Sequence, residues 1–200
     1  MMKKLMAMLL VLTMVLSGTA LAAAAKAPAT QTIDFGDFTL DIDPNMPGEV
    51  KDKVNNETMV TMYPAYNING DASSNITVVW SEAVQDFSEL DTDEKCNSFA
   101  KTVLDSIVPA YRQSGITVTN EQVLGSMLLK QDGVQGIMVV FSMDADYAGM
   151  GVDLKTTLIQ LQVYLSDKAF GSYIFTGTSS DMDTLQTIIV PVLDSIQWDY

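Results

Sequence analysis

The chain has no histidine and a single cysteine in 200 residues, and its 11 lysines and arginines are outnumbered by 25 aspartates and glutamates. Each shortage closes a class of function. Without imidazole the commonest general base, the usual zinc ligand set and every Ser-His or Cys-His nucleophile arrangement are missing. One cysteine cannot form an intramolecular disulfide, so the fold depends on no covalent staple. The deficit of cations excludes nucleic acid and anionic membrane surfaces as partners, because binding them requires basic groups that displace counterions. A polyanionic cell wall is repelled too, unless divalent cations bridge the charges.

Long apolar runs are also scarce, and the one that exists is at the amino terminus. Lys3 and Lys4 precede the run Leu5 to Leu16, small residues follow, and Ala20-Leu21-Ala22 suits a signal peptidase. The run is shorter than the ~20 apolar residues a bilayer core requires. No cysteine follows it to accept a lipid. Residues 1–22 are therefore expected to be a cleaved export signal of bacterial type, 23–31 an alanine-rich lead-in, and 32–200 one domain. Loss of Lys3 and Lys4 leaves 9 basic and 25 acidic residues, a formal charge of −16. The expected location is secreted or in the cell envelope, with no membrane span after signal removal. In a bacterial route the sequons at Asn56 and Asn75 carry no sugar.

The pentapeptide VLDSI occurs at Val103 to Ile107 and again at Val192 to Ile196. Around the first copy, Cys96, Phe99, Ala100, Val103, Leu104 and Ile107 recur at the three- and four-residue spacing of one helical face. Asp91 or Thr92 is the expected N-cap, with Glu94 completing a capping box behind Asp91. Pro109 is expected to kink or end the helix, and Gly115 to stop it in the left-handed region. On that face Cys96 reads as a small core hydrophobe. Around the second copy, Met182, Leu185, Ile188, Ile189 and Val192 follow helical spacing behind Ser180 or Asp181. Pro191 marks the last turn, and Ile196 and Trp198 then alternate as a terminal strand. The flanks do not align, so the match is not an internal repeat. The two copies are expected in different conformations.

Between these helices the pattern is that of strands. Phe38, Leu40 and Ile42 alternate with polar residues until Pro44, and Thr58 to Tyr63 and Ile76 to Trp80 follow, separated by a loop with Asn69-Gly70. Ile116 to Val123 and Met127 to Lys130 lead to the hairpin signal Asp132-Gly133. Gln135 to Met143 returns, and its IMVVF is the pattern of a central strand covered on both faces. In Leu154 to Leu165, Ile159, Leu161, Val163 and Leu165 share one side, with Gln160 and Gln162 on the other. A turn at Ser166 to Ala169 leads into Phe170 to Thr176. The expectation is an α+β fold, a mostly antiparallel sheet with two main helices packed on it.

This order of elements resembles the PsbP/DcrB-like superfamily. The likeness is carried by the early strand FTLDIDPNM, the strand pair, the long helix ending near Gly115, the antiparallel run with Asp132-Gly133, and the last helix feeding SIQW. It spans roughly residues 32–200. It implies an α/β/α sandwich and a binding or assembly module rather than an enzyme. Members include extrinsic photosystem proteins, a bacterial periplasmic protein and a nuclear import factor. No motif in it assigns metal or partner residues to numbered positions here.

Three clusters still offer chemistry. Ser98 and Lys101 have SxxK spacing, but they fall on the polar side of the first helix beside Asp105, and the SDN and KTG partner motifs are absent. Asp41, Asp43, Asn45 and Asp52 imitate a calcium loop, yet Met46 stands where glycine is required. Asp144, Asp146 and Asp153 crowd the DADYAGMGVD segment with Gly149 and Gly151. A solvated helix face accounts for the first, strand alternation for Asp41 and Asp43, and a solvated turn for the third. The expected function is an exported, non-enzymatic module binding a protein or small ligand, with no catalytic residues, metal or cofactor assigned. The alternatives are a carboxylate hydrolase acting on polysaccharide, which needs one acid with a raised pKa in an apolar cleft, and a calcium-dependent adhesion domain.

Overall fold

Strands whose two faces are both apolar need cover on both sides, and that requirement sets the architecture. The computed structural model describes residues 31–42, 59–64, 75–131 and 134–199. In chain order the elements are β1 (Gln31–Asp34), β2 (Phe38–Ile42), β3 (Met59–Pro64), β4 (Asn75–Ser81), α1 (Asp93–Gln113), β5 (Thr117–Gln131) and β6 (Val134–Asp146). A single 3-10 turn at Ala148–Met150 precedes β7 (Lys155–Asp167) and β8 (Gly171–Ser179). The chain ends with α2 (Met182–Thr184), a π turn (Leu185–Ile189), α3 (Val190–Asp194) and β9 (Gln197–Trp198).

Six strands form one antiparallel sheet in the order β3-β4-β8-β7-β6-β5. Ile137 to Phe141 of β6 are all buried, as IMVVF predicts. On one face Ile137, Val139, Phe141, Met143 and Leu158 pack under α1 against Cys96, Ala100, Val103, Leu104 and Val108, with Phe87 closing the end. The opposite face carries Met138, Val140, Leu161, Val163, Leu165 and Phe175 against Leu185, Ile189, Val192 and Ile196. The expected α+β arrangement of two helical segments on a mostly antiparallel sheet is present.

Four details differ from the sequence expectation. β1, β2 and β9 leave the main sheet and form a three-stranded sheet in the order β1-β2-β9, which helps cover the second face. β5 is one strand rather than two, with register shifts between Thr119 and Gln122 and between Val123 and Gly125. Helix α1 is capped by Thr92, one of the two expected candidates, whose hydroxyl accepts from the Lys95 amide at 3.3 Å, but the expected capping box is missing. Asp91 instead pairs with Lys95 at 2.8 Å, so no capping box forms. Pro109 does not end α1; the helix runs on to Gln113, and Gly115 then takes φ +88°. The proposed signal, Asp43, Asn45, Asp52, Asn56, Asn69-Gly70 and Asp132-Gly133 lie outside the described residues.

The two VLDSI copies are more alike than their flanks suggest. Val103, Leu104 and Asp105 are helical, and so are Val192, Leu193 and Asp194. In both the valine and leucine are buried and the aspartate exposed. Each serine hydroxyl donates to the valine carbonyl three residues back, at 2.7 Å from Ser106 and 2.6 Å from Ser195. They part only after the serine, where Ser195 is the C-cap and Ile196 turns toward β9. The local code is the same; the continuation is not.

The C-terminal helical segment approaches the sheet at Gly177, where a Cβ would collide with Ile189 Cγ2. Pro191 has no amide to give to the carbonyl of Thr187, and its ring crowds that carbonyl. The preceding turn is widened, and the Val190 amide donates to the Leu185 carbonyl five residues back. Gly177→Ala is expected to destabilise by ~1–3 kcal/mol through overpacking, and Ile189→Ala in the same chain to recover part of that loss. Urea unfolding of the four members of the cycle measures it, and simple additivity would refute the contact.

Buried polar groups fix how α1 sits. Gln160 and Gln162 do face away from Leu161 and Val163, but they are covered by α1 rather than solvent. The Gln160 amide donates to the Tyr111 hydroxyl at 2.7 Å, and the Tyr164 hydroxyl donates to Gln162 Oε1 at 2.6 Å. Burial pushes the Tyr164 phenol up from 10.0 to about 12. A phenol that holds its proton more tightly in the fold contributes stability that is complete below its unfolded pKa of ~10 and is lost as pH rises through the folded value. Stability is therefore expected to fall between pH ~10 and ~12, and less steeply in Tyr164→Phe. Guanidinium unfolding at three alkaline pH values checks the difference in slope.

Candidate functional site

Toward the end of β6 the second face of the sheet turns from apolar to polar. Alternation places Asp144 and Asp146 on the side of Met138 and Val140, and Lys155 and Thr157 on the side of Leu161 and Val163. Register then sets two rows across three strands. Thr119, Asp144 and Thr157 form one; Thr117, Asp146 and Lys155 form the other. Together with Ala145 and Thr156 these residues line an open cleft of ≈ 470 Å³.

Every carboxylate oxygen on this shelf has a donor. Asp144 accepts from Asn120 Nδ2 and from the Thr157 hydroxyl, both at 2.7 Å. Asn120 reaches it because the β5 bulge holds it at φ 53°, a left-handed conformation asparagine tolerates. Asp146 accepts from the Ala148 amide at 3.0 Å and pairs with Lys155 Nζ at 2.9 Å. The hydrogen bond from Asn120, then that from Thr157, holds Asp144 below its ordinary value. The Ala148 amide, then Lys155, does the same for Asp146. Both are ionised at neutral pH.

The sequence clusters fare differently. Asp144 and Asp146 are neighbours, while Asp153 stays exposed on the loop beyond and does not join them. Among the described residues no three acidic or cysteine side chains gather as a metal would require. Lys155 stands beside Asp146 where a cation would be held. Asp41 accepts instead from the Thr32 hydroxyl at 2.6 Å, within the small sheet. Ser98 is exposed, and exposed Lys101 pairs with Asp105 at 3.3 Å. Cys96 is buried, donates to the Leu90 carbonyl at 3.5 Å, and has its thiol pushed up by burial and then by Asp93. Partial desolvation holds the Asp194 carboxyl above its ordinary value, but this residue ends α3 and lines no part of the cleft.

Sequence reasoning missed Asn120, Thr117, Thr119, Lys155 and Thr157. The one signal for Thr117, Thr119 and Asn120 was the polar TVTNEQ stretch inside the expected strand Ile116 to Val123; Lys155 and Thr157 had none. The loop between β6 and β7 was seen as acid-rich, but the exposure of its apolar side chains was missed. The Tyr147 amide donates to the Leu154 carbonyl at 2.9 Å and closes residues 147–154, which leaves Met150, Val152 and Leu154 exposed at 53%, 49% and 40%.

With the geometry in view, the architecture can be set beside known structures. Cyanobacterial PsbP (CyanoP) from Synechocystis sp. superposes with a TM-score of 0.56 at 12% identity, over 90% of this chain and 98% of its own. The chain has a PsbP-like α+β fold. The Saccharomyces cerevisiae Ran-binding protein Mog1p matches at a TM-score of 0.46 and 12% identity, over 86% of this chain and 96% of its own. A Bacteroides thetaiotaomicron protein matches at 0.43 and 6%, over 88% of this chain and half of its own. No protein-family model and no curated protein matches the sequence.

Carboxylates held down by hydrogen bonds contribute stability above their unfolded pKa and lose it as pH falls through the lower folded value. Carbon-detected NMR titration is expected to place Asp144 and Asp146 below 3.8, with Asp146 rising in Lys155→Met. Millimolar calcium is expected to leave the melting temperature unchanged, and a rise of several degrees would reinstate a cation site.

Proposed function

We propose that the chain, freed of residues 1–22, acts outside the cytoplasm as a non-enzymatic module that docks a partner protein through the polar shelf and the apolar loop beside it. One observation carries the reading. Of the five large hydrophobic side chains exposed among the described residues, three sit on this single loop: Met150, Val152 and Leu154. Three large apolar side chains exposed on one short loop beside an open cleft fit an interaction surface. The state of the acids supports the same reading. A carboxylate hydrolase needs one acid kept protonated, whereas Asp144 and Asp146 are both held ionised.

Site-specific photo-crosslinking in the producing cell tests it. A photoreactive residue at Val152 is expected to give a discrete protein adduct. The same residue at Lys168, about 40 Å away along β7, is expected to give none. Polysaccharide turnover by the purified protein, abolished by Asp144→Asn, would overturn the proposal in favour of a hydrolase.

A further inference from the structure

The shelf and loop also limit what kind of segment can seat on them. Three carboxylates, Asp144, Asp146 and Asp153, stand against one ammonium, Lys155, which is already paired to Asp146. Asp144 has only neutral donors, so its charge is uncompensated within the site. The mature chain carries a formal −16, which draws cationic groups and turns anionic ones away. Spacing adds a second constraint. Asp144 and Asp146 are two residues apart on one strand face, about 6.6–6.8 Å, which is also the repeat of alternate side chains in an extended peptide. The threonines that complete the rows are short and hydroxylated, so they do not hold a backbone away. The loop that joins Asp146 to Lys155 exposes Met150, Val152 and Leu154.

We infer that the occupant is an extended cationic segment of a partner protein, with lysine or arginine at alternate positions over Asp144 and Asp146 and a large apolar residue against Met150, Val152 and Leu154. This rests on the docking reading above and names the partner's chemistry. The probe is a capped pentapeptide Lys-Ser-Lys-Ser-Trp, which puts both lysines and the tryptophan on one face of an extended chain, titrated into the nitrogen-15-labelled mature protein. Peptides with glutamate or serine in place of lysine are the controls. Amide shifts are expected only at residues 117–120 and 144–157, with affinity falling roughly threefold or more between low and physiological salt. Asp144→Asn and the exposed-loop variant Asp153→Asn are each expected to weaken binding by about two- to tenfold, and Asp153→Asn to do so without moving the melting temperature. Val152→Ser should weaken it through the tryptophan.

Equal binding of the serine or glutamate peptide, or shifts spread over the whole surface, would overturn the inference. So would affinity untouched by either aspartate change. A crosslink from Val152 to a partner segment that is neutral or acidic would remove the cationic occupant while leaving the docking surface in place. Absence of any crosslink at Val152 would remove both.

Discussion

β6, β7 and β8 carry apolar side chains on both faces, and a sheet of that kind is stable only if both faces are shielded from water. One cover is simple. α1 is a single amphipathic helix whose stripe of Cys96, Ala100, Val103, Leu104 and Val108 lies over the odd-numbered residues of β6. The other is composite, built from the C-terminal helical segment and the sheet of β1, β2 and β9. Assembling it asks more of the chain. Ser195 ties the segment to β2, since the Asp41 amide donates to its hydroxyl at 2.8 Å across 154 residues of sequence. An aromatic cluster of Phe38, Phe170, Tyr173 and Trp198, with ring centroids 4.5 to 5.9 Å apart, locks the small sheet to the large one. The candidate site follows from where this second cover ends. Once the cover is gone, the same strand face can only be polar.

The outer strand β5 poses a related problem, because among the described residues it pairs only with β6. An open strand of that length is a template for unwanted pairing. α1 blunts it. Arg112 donates to the Val118 carbonyl at 3.1 Å and pairs with Glu121 at 3.2 Å, and the Ser126 hydroxyl donates to Asn97 Oδ1 at 2.8 Å. Two register irregularities further break the ladder. One of them turns Asn120 toward Asp144, so a device that protects the edge also supplies a donor to the shelf.

Much of the fold was legible because it is encoded locally. The continuous IMVVF run, the split of β7 into Gln160 and Gln162 against Leu161 and Val163, and the stripe of α1 each follow from periodicity alone. What escaped depends on long-range pairing. β9 was legible as a terminal strand from the alternation of Ile196 and Trp198, but it pairs with β2 across most of the chain, and no window of sequence reveals that partner. β5 read as two strands because its bulges insert polar residues that break alternation. The cap of α1 went to Thr92 because Asp91 found a better partner in Lys95, a choice between two good candidates that spacing does not decide. The site was half legible: Asp144 and Asp146 stood out as acids, but the threonines, Asn120 and Lys155 come from other strands, and only register brings them together.

That register also gives the shelf a direction. Lys155 neutralises Asp146 in the row next to the apolar loop, while Asp144 in the outer row is held by an amide and a hydroxyl that carry no charge. On the shelf itself negative charge is therefore least compensated at Asp144, the end farther from the loop, and balanced at Asp146, the end next to it, while Asp153 adds an acid on the loop. A surface graded in this way distinguishes the two ends of whatever lies along β6, because a charged end gains at Asp144 and an apolar end loses least beside the loop. Reversing the segment would bury a charge against methionine, valine and leucine and leave Asp144 unanswered. The grading thus acts on orientation as well as affinity, and it needs only the alternation of one strand and the pairing of its two neighbours.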